Sequence, residues 1–353
     1  MYVIKLKTNA AIAIAALVAG AALSACGSAS GSSGPVTLRL GYFPNITHAT
    51  AIVGVENGIF ARDLGPNVHL ATSTFNAGPA AVQALLTGAI DATYVGPNPT
   101  ITAWAQSHGS AVKIIAGATS GGASLVVKQS INSAADLKGK KIASPQLGNT
   151  QDVSLRAWLK SNGLKTNAQG GGDVSILPQD NATTLQAFES GLIDGAWVPE
   201  PWATRLVQDG HGKVLVDERT LWPQGQFVTT QLIVATSYLN MHPSVVAGLL
   251  KGHIEATDFI NANSTQAQTI VNDAITKITG KGLKAKTIQA AWSQMTFTVD
   301  PIASSLGKQA ASAESVGLLK SVNLNGIYDL DPLNKLLKAE SKPQVSANVA
   351  ASS

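Results

Sequence analysis

The sequence holds a single cysteine, Cys26, in 353 residues, so a disulfide within the chain is impossible. Charge is sparse as well. Charged residues make up 13% of the chain, 25 basic against 21 acidic, and no basic run is long enough to be a nucleic-acid footprint. Beyond Leu23 no stretch is apolar enough to cross a membrane. The motifs of common catalysis are missing too: no Gly-x-Ser-x-Gly elbow, no His-Glu-x-x-His, no P-loop and no Gly-x-Gly-x-x-Gly after a strand. The six histidines, at 48, 69, 108, 211, 242 and 253, are dispersed, and no pair has metal-ligand spacing on one helix face. Asp329 and Asp331 match part of a calcium loop without the rest of it. These absences argue against a disulfide scaffold, a nucleic-acid binder and a multi-span membrane protein. They give no reason to invoke a catalytic residue, a metal or a cofactor.

What the chain does contain is one stretch twice. Residues 84–95 read Ala-Leu-Leu-Thr-Gly-Ala-Ile-Asp-Ala-Thr-Tyr-Val, and residues 187–198 read Ala-Phe-Glu-Ser-Gly-Leu-Ile-Asp-Gly-Ala-Trp-Val. An offset of 103 lays Gly88 on Gly191, Ile90 on Ile193, Asp91 on Asp194, Tyr94 on Trp197 and Val95 on Val198. Each copy reads as a helix end at glycine, a short apolar strand and a proline-bearing loop. The same offset lays Thr47 on Thr150, each near the start of a helix-like run, and candidate strands at Val68–Ala71 and Val174–Leu177 fall between. Two β-α-β-α-β-loop halves predict two α/β lobes facing a cleft, with loops at the carboxyl ends of parallel strands, where open α/β sheets bind ligands.

The ends have their own character. Lys5 and Lys7 precede an apolar run from Ala10 to Leu23, and Leu23-Ser-Ala-Cys26 follows. A basic start, an apolar run short for a bilayer and a small-residue exit describe a secretory signal over residues 1–25. Cys26 sits where the lipobox of bacterial lipoproteins resembles this stretch, which implies a lipidated first mature residue and a membrane anchor. The alternative is an ordinary signal peptide with Cys26 as a free thiol. Residues 26–35 read as the lipidated cysteine and a flexible linker, and 339–353 as a flexible tail. Removing Lys5 and Lys7 leaves 23 basic against 21 acidic residues, so the formal charge falls from +4 to +2.

Between the ends, residues 36–122 plus 230–338 are expected to form lobe 1 and residues 123–229 lobe 2. Val36–Gly41 alternates as a first strand, Ser124–Lys128 reads as a crossing strand, and Thr229–Ala235 as the strand that returns. From Pro243 onward four amphipathic helices are expected, over 243–261, 265–278, 285–294 and 301–318. The strand-to-helix loops are rich in small polar residues: Asn45–His48, Asn76–Gly78, Asn98–Thr100, Gly148–Asp152 and Pro199–Trp202. Helix starts expose unpaired N–H groups and partial positive charge and so suit anions, while glycine lets a backbone approach closely. Thr47 and Thr150 have two compatible readings, helix cap and ligand donor. His48 reads as a ligand contact rather than a satisfied loop histidine, and Tyr94 and Trp197 as packing at strand ends. Trp202 reads as a cleft wall. Glu200 repels an anion, and a structural role, for example beside Arg205, is favoured for it.

In order along the chain, Gly41-Tyr-Phe-Pro-Asn-Ile-Thr-His-Ala, Phe75-Asn-Ala-Gly-Pro, Ile90-Asp through Gly96-Pro-Asn-Pro, Ala135-Asp-Leu-Lys-Gly-Lys, Gly148-Asn-Thr-Gln-Asp and Trp197-Val-Pro-Glu-Pro-Trp resemble the substrate-binding lipoproteins of ABC importers in the nitrate/sulfonate/taurine group, aliphatic-sulfonate binders in particular. The resemblance spans about residues 36–320. It implies a periplasmic-binding-protein fold of the second type, hinge closure around a small anionic ligand, and delivery to a permease and its ATPase. It also implies a monomer on the outer face of the bacterial cell membrane, on the periplasmic side if the cell is Gram-negative. Carried over by residue, the ligand site is Asn45, Thr47, His48, Asn76, Gly78, Gly96, Asn98, Gly148, Asn149, Thr150, Glu200 and Trp202. An aliphatic sulfonate or taurine is favoured, with room for a tail against Trp202 or Phe43. Nitrate, bicarbonate or another small organic acid is the alternative within the group. From other classes, a secreted enzyme using His48 and Glu200 as an acid–base pair and a purely structural surface lipoprotein remain open.

Overall fold

The computed structural model describes residues 36–349. The expected signal segment, Cys26 and the linker lie outside the described residues.

The chain runs β1 (Val36–Tyr42), α1 (Ala49–Glu56), α2 (Ile59–Leu64), β2 (Val68–Thr74), α3 (Gly78–Leu86), β3 (Ala92–Val95), α4 (Pro97–Gln106) and β4 (Val112–Gly121). It then crosses to β5 (Ala123–Val127), β6 (Lys141–Ser144), α5 (Thr150–Ser161), β7 (Ser175–Pro178), α6 (Asn181–Glu189), β8 (Gly195–Pro199), α7 (Trp202–Gln208) and β9 (Lys213–Asp217). It returns through β10 (Val228–Ala235) to α8 (Thr236–Met241), α9 (Pro243–Ala262), α10 (Ser264–Thr279), α11 (Ala285–Trp292), β11 (Met295–Phe297), α12 (Leu306–Ser315) and α13 (Asp331–Ala339). A six-stranded sheet has the order β11-β4-β10-β3-β1-β2, and a five-stranded sheet the order β7-β6-β8-β5-β9. In the first, β1 pairs in parallel with β2 and β3, and β10 runs antiparallel to β3. In the second, β6 pairs in parallel with β7 and β8, and β5 runs antiparallel to β8. Two α/β lobes with matching cores result.

The match extends to single hydrogen bonds. Asp91 N–H donates to Arg39 O (2.8 Å), and the Asp91 carboxylate accepts from Arg39 N (2.8 Å) and from the guanidinium. Asp194 N–H donates to Lys141 O (2.8 Å), and its carboxylate accepts from Lys141 N (3.0 Å) and from Lys128 Nζ (2.9 Å). In each lobe, then, one aspartate locks the third parallel strand to the first and takes up an N–H that the short ladder leaves over. Gly88 and Gly191 precede them with φ of 71° and 76°, a left-handed turn that lets helix pass into strand without a Cβ clash. Tyr94 and Trp197 do pack at the strand ends. Both are fully buried, and each spends its polar atom inward, Tyr94 Oη on His253 Nδ1 (2.8 Å) and Trp197 Nε1–H on Glu218 (2.7 Å).

Helices cover both faces of each sheet, which is why the central strands are apolar without alternation. Along β10, Leu232 and Val234 enter the core under α1, α9 and α10, while Ile233 enters the one under α3, α4 and α12. In the second lobe α5 covers one face, and α6 and α7 the other. The two sheets connect at Gly122 and through residues 218–227. The first crossing takes two successive glycines, Gly121 and Gly122, with φ of 78° and 75°. In the second, the Arg219 guanidinium donates to Asp217 and, across to the first lobe, to Gln294 Oε1 (2.6 Å).

The stretch after Ala339 is tied down through its described part. Val345 N–H donates to Asn334 Oδ1 (2.8 Å), Asn334 Nδ2 returns a bond to Val345 O (3.0 Å), and Val345 packs on the first core. Val349 packs on the second core of that lobe; two isolated valines and one asparagine make no periodic pattern that would announce this. No helix among the described residues is long and apolar enough to cross a membrane.

Candidate ligand site

The loop between β1 and α1 carries Asn45, Thr47 and His48; Asn76 precedes α3; Gly96 precedes α4; Asn149 and Thr150 open α5; Asn181 opens α6. All eight line one small cavity between the lobes, with room for about one water-sized group at 20 Å³. Phe43, Gln151, Pro199, Thr229 and Thr230 complete it. None of the helix starts here has a side-chain cap, so their backbone donors are uncommitted to local side chains. Thr150 is the first helical residue rather than the cap, and its Oγ1 is buried with no hydrogen-bond partner; Asn181 Oδ1 is in the same condition. A cap role for Thr150 is therefore not what the geometry shows. Thr47 is held by its backbone, its carbonyl accepting from Thr119 Oγ1 (2.7 Å).

His48 is 2% exposed, stacked on Phe43 with ring centroids 4.2 Å apart, and its Nδ1 accepts from Phe43 N–H (3.3 Å). That bond leaves the proton of the neutral ring on Nε2. Burial pulls its pKa down to about 3, so at pH 7 His48 is a neutral donor and not a cation. No Lys, Arg, Asp or Glu lines this cavity. What it offers is hydroxyls, amides, one imidazole N–H and several positive helix ends, the equipment for a small oxyanion.

Close approach of the lobes depends on Gly96. A Cβ there would lie 2.4 Å from Thr150 Oγ1 across the cleft. Gly78 plays a similar part, its hypothetical Cβ meeting Pro99 and, at 3.0 Å, Asn149 Oδ1.

Five of the expected residues, Gly78 among them, stand outside this cavity. Asn98 donates to Gln309 O (3.1 Å) within the first lobe. Gly148 N–H donates to Asp152 Oδ2 (3.0 Å) and shapes the turn into α5. Glu200 does not line this cavity: its carboxylate accepts from Thr204 N and Thr204 Oγ1, both at 3.0 Å, and thereby anchors α7. Burial raises its pKa to about 7. It makes no hydrogen bond to His48, so the acid–base pairing has no geometric support. Trp202 lies at the boundary, its Nε1–H donating across the cleft to Asn45 Oδ1 (3.0 Å) while Arg205 stacks on its ring at 4.8 Å. It lines a second, larger interlobe chamber of about 820 Å³.

Gln151, Asn181, Thr229 and Thr230 were not among the expected residues. Asn181 was within reach, because the 103-residue offset lays Gly78 on Asn181, and α3 and α6 begin at those positions. Thr229 and Thr230 sit on the returning strand, outside the repeated stretch. Among the described residues no group of three or more His, Cys, Asp or Glu could hold a metal.

Comparison with known proteins agrees with this architecture. Residues 31–273 match the NMT1-like family. A binding protein of Brucella abortus is 31% identical over 239 residues, 67% of this chain and 70% of that one. The taurine-binding periplasmic protein of Escherichia coli is 32% identical over 213 residues, 60% of this chain and 63% of that protein, so the match spans less than two thirds of its length. The alkanesulfonate-binding protein of Xanthomonas axonopodis, solved with bound MOPS, superposes with a TM-score of 0.68 at 20% identity over 82% of this chain and 96% of the other. That last likeness is one of fold.

Proposed function

The chain belongs to the NMT1-like family, and we propose that it is the extracytoplasmic solute-binding component of an ABC importer, a monomer tethered through lipidated Cys26. Its role is capture and release, not turnover. The ligand is a small anion, an aliphatic sulfonate or taurine by preference, gripped by loops of both lobes and handed to a permease driven by its ATPase. One observation carries the reading: a charge-free interlobe cavity at converging, uncapped helix starts, in which the Thr150 hydroxyl, able to donate to an anion, is buried without a partner. A buried polar atom without a partner costs about 1–3 kcal/mol, and a ligand that bonds to it removes that cost. Capture then proceeds by hinge motion at Gly121–Gly122 and residues 218–227, since a cavity of 20 Å³ admits an oxyanion only when the lobes part.

The curated relative named for taurine supports the substrate class. The small size of the inner cavity favours, as second reading, a bare oxyanion such as nitrate or bicarbonate. A thermal-shift screen of the lipid-free chain from Gly27 against taurine, alkylsulfonates, nitrate, bicarbonate and pyrimidines decides between them. A true ligand at a hundred times its Kd adds about 2.7 kcal/mol to stability. Shifts with sulfonates alone support the first reading; shifts with nitrate or bicarbonate alone replace it with the second.

A further inference from the structure

The inner cavity and the 820 Å³ chamber share three lining residues, and all three are asparagines: Asn45, Asn76 and Asn181. They form a neck between a compartment that suits an oxyanion and one far larger than any oxyanion needs. Within the neck, Asn45 Oδ1 is occupied by Trp202 Nε1–H, whereas Asn181 Oδ1 is buried and unpaired. An unpaired buried acceptor calls for a donor on the ligand. Beyond the neck the chamber has aromatic walls, Phe75 and Trp202, and its charged side chains balance, three Asp or Glu against three Lys or Arg. Asp209 is paired with both Arg205 and Lys284. Such a compartment favours an uncharged substituent with apolar surface over a second ion.

Resting on the anion-binding reading above, we propose that the ligand is a two-part molecule, an aminoalkyl oxyanion substituted on nitrogen. Its oxyanion sits in the inner cavity, its secondary N–H donates to Asn181 Oδ1, and its nitrogen substituent fills the outer chamber. Asn181 is the specificity-determining residue, since its Oδ1 is the one buried side-chain acceptor in the neck without a partner among the described residues. Taurine satisfies the first two parts and leaves the chamber unused; a bare oxyanion satisfies only the first.

Calorimetric titration of the lipid-free chain with ethanesulfonate, taurine and N-cyclohexyltaurine separates the parts. Affinity is expected to rise at each step, by about tenfold or more for the donor and by about tenfold or more for the buried ring. Asn181→Leu, close in volume, is expected to bring the taurine-to-ethanesulfonate ratio towards one; Asn181→Ser, which keeps an acceptor, retains part of it. Equal binding of taurine and ethanesulfonate by the native chain overturns the neck. Taurine binding as tightly as N-cyclohexyltaurine overturns the chamber. The matched series propionate, β-alanine and N-cyclohexyl-β-alanine is titrated in parallel. If only that series binds, with both steps intact, the sulfonate assignment fails while the neck and chamber stand. If nitrate or bicarbonate alone binds, the neck and chamber fail while anion binding stands.

Discussion

At the scale of single residues, the groups left unpaired and the groups left uncharged say most about this protein. Thr150 Oγ1 stabilises nothing in the free chain. Thr150→Val keeps the shape and removes the stranded hydroxyl, so the free protein should gain up to about 1 kcal/mol in urea denaturation. Ligand affinity should fall about tenfold or more in the same variant, because a hydrogen bond to an anion is worth about 1.5–3 kcal/mol. A variant that loses stability and keeps affinity would show that the hydroxyl is structural. Glu218 gives a pH test. It is 1% exposed, accepts from Trp197 Nε1 (2.7 Å) and Ser154 Oγ (2.8 Å), and burial raises its pKa from 4.5 to about 7. Below 4.5 both folded and unfolded chains hold the proton. Between 4.5 and 7 the unfolded chain releases it first, so the native state loses stability as pH rises and the loss is complete above 7. Glu218→Gln removes that loss. Its stability relative to the native chain should therefore improve by about 3 kcal/mol between about pH 4 and about pH 8. A difference that stays constant with pH would place the Glu218 pKa near its ordinary value. His48 leads to a flat expectation instead: held near 3 by burial, it should not tighten anion binding as pH falls from about 8 to about 6. Titration with a sulfonate, charged throughout that range, checks it.

At the scale of elements, the site depends on how α5 begins. The Asp152 carboxylate, fully buried, accepts from Ser144 Oγ (2.6 Å), Gly148 N (3.0 Å) and Arg156 Nε (3.0 Å), tying strand β6, the turn and the helix together. Asp152→Ala strands the buried Arg156 charge and should cost about 3–5 kcal/mol, read as a lowered urea midpoint with the same slope. A loss under about 1 kcal/mol would mean that Arg156 finds solvent instead. The loop that Asp152 organises was legible in the sequence because small polar residues interrupt an apolar pattern there. So were the repeated strands, since Asp91 and Asp194 perform one task at one offset. Of the four helices expected after Pro243, α9, α10 and α11 form nearly as expected, and the fourth is shorter, its first part being taken up by the turn before Leu306. Two of the elements that escaped have a physical reason. β11 is three residues long and exists only because β4 offers it an edge. β9 is an edge strand whose pairing comes from β5, far back in the chain. α13 does carry a helical spacing in Leu330, Leu333 and Leu337, all buried. Asp329 and Asp331, which match part of a calcium loop, in fact lead into it: Asp331 is its first residue, where a carboxylate suits the helix dipole.

At the scale of the whole molecule, the question is how far the lobes travel. Three side-chain contacts bridge the mouth of the cleft, Trp202 to Asn45, Lys284 to Asp209 (3.0 Å) and Thr287 Oγ1 to Gln208 Oε1 (2.7 Å). Lys284 is 69% exposed, and an exposed pair is worth about 0–1 kcal/mol, so that pair adds little to the closed form. The inner cavity of 20 Å³ is also tighter than an oxyanion with its bonded atoms requires. Entry of an oxyanion therefore requires Gly96 and Thr150 to part from the positions they hold here. Gly96 and Thr150 report this directly. A Cβ on Gly96 would lie 3.4 Å from Thr150 Cβ, near the separation a disulfide takes, about 3.5–4.5 Å. The lipid-free chain from Gly27 carries no cysteine of its own, so the double variant Gly96→Cys, Thr150→Cys has one possible intramolecular bridge. Under mild oxidation it should form in the free protein, seen as altered mobility that a reductant reverses. Saturating ligand should slow its formation, since an anion between the lobes holds the two sulfurs apart. Faster crosslinking with ligand would mean that the bound lobes approach more closely than those of the free chain, and that the cavity enlarges by side-chain movement rather than by parting of the lobes.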